Sequence, residues 1–215
     1  MNLLADIIVK AGPLAREIKK ALIGRRCWYA YVSIGNTFQI SLGRKIARDA
    51  MELAAIASLR KKRLARQAAK GVRVSEDHLS REFDRFTGEA NLLAWCPWRL
   101  DGKRGPVVRP ITSWDDDPAR CLAGIRRLMG RAVRSATIEF GWFLKLNFSG
   151  GFTLNVFPTH VGANASFDGN WELRTPDAAY EIDTELTCQV RSRKAGAVVA
   201  DVGHQRRQSL LREAV

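Results

Sequence analysis

The chain has 215 residues, 46% hydrophobic and 27% charged, with a formal net charge of +13. That length suffices for one sizeable core, and no run approaches the roughly 18 apolar residues a membrane span requires. Cys27, Cys96, Cys121 and Cys188 are far apart and form no C-x-x-C pair, and the apolar residues 1–11 lack a basic n-region and a small-residue cleavage site. Reduced thiols in the cytoplasm are therefore expected rather than an exported disulfide scaffold.

The first 26 residues predict an amphipathic helical segment: Leu3, Leu4, Ile7, Ile8, Leu14, Ile18 and Leu22 recur at helical spacing, interrupted at Gly12-Pro13. From Cys27 to Leu42 aromatic and β-branched residues surround Gly35-Asn36, a pattern for one or two strands. Residues 46–70 are rich in Ala, Leu, Lys and Arg and stop at Gly71, which reads as helix, although Met51, Leu53, Ala55, Ala57 and Leu59 also alternate as in a strand. Ser75 then caps a second helix that carries Leu79, Phe83 and Phe86 on one face and closes at Gly88.

Beyond residue 90 the pattern is that of a sheet. Short extended pieces lie at 92–95 and 107–111, on either side of an Asp101-Gly102 turn. Pro118 opens a helix that ends at Gly130, with Leu122, Ile125 and Met129 facing inward and Arg120 and Arg127 facing solvent. Residues 142–157 alternate strictly about Ser149-Gly150-Gly151 and predict a hairpin. Val133, Ile138 and Phe140 suggest a preceding strand, and residues 171–173 and 180–190 further ones. The expected fold class is α+β: an antiparallel sheet spanning 27–190, a few covering helices, a basic helical insertion at about 46–88, and a basic tail over 191–215.

The ordered series Phe38-x-Ile40-x-Leu42-Gly43-Arg44, Gly88-Glu89-Ala90-Asn91-Leu92, Cys96-Pro97-Trp98-Arg99, Leu128-x-Gly130-Arg131, the Ser-Gly-Gly hairpin and Trp171-Glu172-Leu173 resembles an uncharacterised family of small bacterial cytoplasmic proteins. The resemblance spans residues 36–175. It implies fold and bacterial origin and carries no catalytic residue. Within the insertion, residues 74–88 are similar to the recognition helix of AraC-type regulators, which implies that Glu76, Asp77, His78 and Arg81 approach bases or phosphates. The same residues also read as a capped helix packing Leu79, Phe83 and Phe86 on the body, and that reading is preferred.

Chemistry is sparsely signalled. His78, His160 and His204 lack metal-ligand spacing, and no phosphate loop joins a strand to a helix, so no metal or cofactor is expected. Asp115-Asp116-Asp117 reads as capping before Pro118. Glu181, Asp183 and Glu185 have the alternation of a metal-dependent nuclease strand, but Thr187 stands where that chemistry wants lysine. A Cys96–His160 nucleophile pair rests on residue type alone. Trp95, Trp98, Trp114, Trp142 and Trp171, beside Arg99, Arg109 and Lys145, are either a base-stacking platform or, as preferred, core.

The positive excess names polyanions as the partner class. The leading expectation is a non-enzymatic protein that contacts nucleic acid through Arg60, Lys61, Lys62, Arg63, Arg66, Lys70 and Arg73, together with Arg81, Arg85, Arg120 and Arg127. The alternative is an immunity or accessory subunit of a bacterial defence system that meets an acidic protein partner. A metal-dependent nuclease ranks third.

Overall fold

The computed structural model describes residues 3–32, 37–68, 78–108, 118–159 and 169–192. Among the described residues, eleven strands fall into two antiparallel sheets. The six-stranded sheet has the order β1 (Cys27–Val32), β2 (Phe38–Ala47), β3 (Phe86–Ala94), β9 (Gly169–Arg174), β10 (Ala178–Asp183), β11 (Cys188–Ser192). The five-stranded sheet has the order β5 (Gly105–Val108), β4 (Trp98–Gly102), β8 (Phe152–Val156), β7 (Leu144–Phe148), β6 (Val133–Ile138). The α+β class holds, but with two sheets where one was expected. Alternation tells each strand which face to bury and is silent about which layer it joins. Eleven amphipathic strands in a single layer would leave most of one apolar face wet, and two facing layers bury both.

The core lies between the layers. Phe38, Ile40, Leu42, Leu92, Trp171 and Leu173 from the first sheet share one apolar cluster with Trp98, Leu100, Leu144, Leu146, Leu154 and Val156 from the second. Phe38 and Trp98 meet edge to face across the gap, with centroids 5.2 Å apart. Each such side chain contributes about 1.5–3 kcal/mol by leaving water. Ile18 and Leu22 of α1 (Leu3–Leu22) and Cys121 and Ile125 of α4 (Pro118–Ile125) enter the same cluster. Along one margin the layers are stitched together: Arg26 bridges Ala132, Gly24 N–H donates to Val133 O at 2.8 Å, and Cys27 N–H donates to Arg131 O at 2.8 Å.

Several boundaries differ from expectation. Helix α1 runs unbroken through Pro13, which removes one intrahelical donor while Leu14, Ile18 and Leu22 pin the second half to the core. The insertion is narrower than 46–88, because Ile46 and Ala47 pair with Thr87 and Phe86; β2 and β3 are adjacent strands whose connection carries α2 (Ala50–Ala68) and α3 (His78–Arg85). Met51, Leu53, Ala55, Ala57 and Leu59 are helical, because Asp49 caps the start, its Oδ1 accepting the Glu52 N–H at 2.7 Å. Gly88 is a strand residue, so α3 ends at Arg85 and Phe86 leaves its apolar face. The β4–β5 turn is Lys103-Arg104, with Asp101 and Gly102 still in the strand. Phe140 and Trp142 lie in the β6–β7 loop and not in strands. Arg191 and Ser192 belong to β11, so the expected tail starts later; residues 193–215 lie outside the described residues, as do Gly35-Asn36, Gly71 and Ser75.

Candidate nucleic-acid interface

Of the elements that carry the bases singled out in the sequence, α3 and α4 lie on opposite sides of β1. Arg60, Lys61, Lys62, Arg63 and Arg66 lie on α2, where Lys61 and Lys62 are exposed, and Arg81 and Arg85 lie on α3. Lys70 and Arg73 lie outside the described residues. Helix α3 docks through Phe83, which stacks on Tyr29 at 4.4 Å with the Arg48 guanidinium 5.1 Å from its ring. Tyr29 alternates with the core residues Ala30 and Val32, so α3 covers the outer face of β1. Arg120 and Arg127 are exposed but belong to α4 and the 3-10 turn after it, whose Ile125 and Leu128 sit in the core on the opposite side of β1.

A different set of bases is gathered by the strand ends. The stitched margin brings together five short segments: 24–26, 43–44, 102–105, 126–134 and 149–151. Gly43 N–H donates to Arg26 O at 2.9 Å; Arg26 Nη1 donates to Gly130 O at 2.7 Å; Ser149 N–H donates to Ala132 O at 2.8 Å. Gly150 and Gly151 turn the β7–β8 hairpin with φ of +85° and +79°. A Cβ at Gly150 would lie 3.0 Å from the Arg131 guanidinium, and one at Gly151 would lie 2.5 Å from the Lys103 stem. The glycine turn therefore sits between two cations, and side chains at its tip would displace them. In strand order the arc runs from Lys103 and Arg104, past the glycine turn, to Arg131 and Arg134, then Arg25 and Arg26, then Arg44. Five strand spacings make it roughly 24 Å wide.

These segments hold nine basic residues (Arg25, Arg26, Arg44, Lys103, Arg104, Arg126, Arg127, Arg131, Arg134) and no Asp or Glu. Among the described residues, the carboxylate that reaches Arg25 and Arg44 is Glu89 of β3. It accepts from Arg25 Nη1 at 2.7 Å, from the Arg44 N–H at 3.0 Å and from Arg44 Nε at 2.9 Å. The Arg44 backbone N–H foremost, then its side chain, hold the Glu89 carboxyl below the usual carboxylate range, with the Arg25 charge adding to this and partial burial opposing it. Glu89 thus stays ionised and fixes Arg25 and Arg44, while Arg26, Lys103, Arg104, Arg127, Arg131 and Arg134 face solvent. No local run of the sequence signals the arc, since no segment supplies more than four bases and 149–151 supplies none.

Charges are paired on another surface. On the outer face of the six-stranded sheet Glu172 meets Arg174 at 2.7 Å and Glu181 meets Arg191 at 3.0 Å. Asp183 caps the β10–β11 turn: its Oδ1 accepts the Glu185 and Thr187 N–H groups, each at 2.9 Å, and its Oδ2 accepts the Thr187 hydroxyl. Glu181, Asp183 and Glu185 therefore do not line one strand face. Among the described residues no group of three His, Cys, Asp or Glu side chains is placed to hold a metal. Burial pushes the Cys96 thiol up to about 12, far from a nucleophile's range, and His160 lies outside the described residues. Trp98 and Trp171 are fully buried, and Trp142 packs against the core; Arg109, Trp114 and Asp115 to Asp117 lie outside the described residues.

No protein-family model matches the chain, and no curated protein or solved structure matches it either.

Proposed function

We propose that this chain is a non-enzymatic, cytoplasmic nucleic-acid-binding protein of a bacterial complex, gripping phosphates with the basic arc at its strand ends. The observation that carries the reading is the gathering of basic residues at the arc, where, among the described residues, Glu89 is the carboxylate paired with Arg25 and Arg44. Six of those bases face solvent clear of Glu89, where their fields sum over roughly 24 Å. Backbone hydrogen bonds fix the segments that bear them, which lowers the ordering cost of binding. Guanidinium groups suit phosphate because their planar donors pair with its oxygens. A gel shift with mixed-sequence duplex and single-stranded oligonucleotides at low salt tests this. Retardation of either form is expected, and its absence for both would remove the proposal.

One observation favours a protein partner instead. Met51 and Leu53 near the start of α2 are 78% and 39% exposed, and Lys61 and Lys62 lie further along the same helix, a combination that suits an acidic, partly apolar protein surface. Purification from the native host separates the two readings: nucleic acid gives excess absorbance near 260 nm that nuclease removes, and an accessory-subunit role gives a stoichiometric second chain.

A further inference from the structure

The outer face of the five-stranded sheet continues from the arc and is built unlike any other surface of the described residues. Across β4, β8 and β7 one row is Arg99, Asn155, Lys145 and the next is Asp101, Thr153, Asn147. These side chains hold one another in place. Thr153 Oγ1 donates to Asn147 Oδ1 at 2.9 Å, and Asn155 Nδ2 and Arg99 Nε both donate to Asp101 Oδ2 at 2.9 Å. The face is a preorganised field of amides and hydroxyls between two differently equipped ends.

At one end lie Lys103 and Arg131, on either side of the glycine turn. At the other end the face becomes aromatic. Phe143, just before β7, and Phe157, just after β8, are both half-buried; their centroids are 5.2 Å apart, and the Arg99 guanidinium lies 5.8 Å from the Phe157 ring. Three residues before Phe143, Phe140 is 71% exposed. Its loop is locked in an unusual backbone conformation, with Gly141 at φ +73° and Trp142 at φ +60°. The lock is double: Trp142 Nε1 donates to Leu186 O at 3.0 Å, and Trp142 O accepts from Trp171 Nε1 at 3.0 Å. Backbone strain of this kind persists only where the surroundings over-determine it, and here it holds Trp142 against the core while Phe140 stays in solvent.

We infer that this face binds single-stranded nucleic acid, the phosphates lying toward Lys103 and Arg131 and the bases stacking on Phe143, Phe157 and Phe140. The inference rests on the nucleic-acid reading above and narrows it to unpaired strands. Phosphate contacts alone do not distinguish duplex from single strand; exposed rings do, because only unpaired bases offer their faces. Arg99 adds a planar cation beside the rings, Lys145 a charge in the middle of the face, and the partly exposed Asn147 and Thr153 meet base edges without imposing one sequence, while the buried Asn155 holds Asp101 in place.

The test is fluorescence anisotropy with a labelled mixed-sequence oligonucleotide, single-stranded and annealed to its complement, using the full chain and two variants at the exposed ring. Phe140→Leu keeps the apolar bulk and removes the π-face; Phe140→Trp keeps both. The single strand is expected to bind at least about tenfold more tightly than the duplex, and Phe140→Leu to weaken it about 5- to 100-fold while Phe140→Trp does not. Duplex affinity should be the same for all three proteins. Equal affinity for both forms, or a single-strand affinity indifferent to Phe140→Leu, overturns the inference and leaves the phosphate reading standing. Absence of binding to either form overturns both. Phe140 is exposed, so an unchanged urea midpoint in both variants is expected and assigns the loss to contact.

Discussion

The arc makes a quantitative claim about salt. Six solvent-facing bases (Arg26, Lys103, Arg104, Arg127, Arg131, Arg134) are free to meet phosphates, while Arg25 and Arg44 are occupied by Glu89. Each phosphate contact releases condensed counterions, so six contacts give a slope of log K against log salt of about −5 on duplex and about −4 on a single strand. Between 50 and 200 mM salt, duplex affinity should then fall about a thousandfold. Replacing Lys103 and Arg131 together by alanine leaves four contacts, a slope of about −3.6 and a loss of about 150-fold over the same range. Titration of a labelled oligonucleotide at several salt concentrations reads these slopes directly. A wild-type slope shallower than about −2, or a double variant with an unchanged slope, would refute the assignment of phosphate contacts to the arc. The Lys61→Ala, Lys62→Ala pair on α2 is the informative control: should it take the slope down by about 2 while the arc pair takes nothing, the grip lies on the helix.

Three further expectations concern the frame that carries the arc. Asn91, buried in β3, accepts from the Ser41 hydroxyl and the Gly88 N–H and donates to Thr87 Oγ1 and Gly88 O; Asn91→Leu strands two buried donors and should cost about 2–5 kcal/mol in urea unfolding, a loss under about 1 kcal/mol being the contrary result. Glu89 has a folded-state pKa below its ordinary 4.5, so the unfolded chain takes up its proton first and stability falls as pH drops from 4.5 through the folded value; Glu89→Gln should flatten that part of the profile, and a variant that keeps the wild-type slope would show the carboxylate to be uncoupled from folding. Burial pushes the Cys27, Cys96 and Cys188 thiols up to about 12, so an aromatic disulfide reagent at about pH 8 should find these three silent in the native protein and titrate all four cysteines once it is denatured. Rapid native reaction at any of the three contradicts the packing.

What the sequence announced were the local patterns. The alternation around Ser149-Gly150-Gly151 predicts β7 and β8 within a residue or two, and Pro118, Ile125, Arg120 and Arg127 predict the orientation of α4, because period and turn chemistry are encoded within a dozen residues. Assembly is not encoded at that range. Nothing near Arg25 announces that Arg131 lies alongside it, since the link is a backbone ladder between residues 24–27 and 130–133. The dense run from Arg60 to Arg73 drew attention because it is contiguous, whereas the arc is assembled from five separate turns and strand ends. Phe140 reads as the end of a strand, and only the hydrogen bonds of Trp142 to Leu186 and Trp171 show why it is expelled from one.

The order of strands along the chain bears on how the protein is made. Asn91 of β3 pairs with Arg174 of β9, and between them the chain builds the whole five-stranded sheet, so one layer is nested inside the other. On a ribosome elongating at roughly 5–20 residues per second, β3 waits about 4 to 17 s for its second neighbour. Throughout that pause the Leu92-Leu93 edge offers unsatisfied backbone groups to any passing strand. The nested sheet, complete by residue 156, packs on the apolar face of β3 and leaves that edge open, so the arrival of β9 governs how long newly made chain is exposed to aggregation.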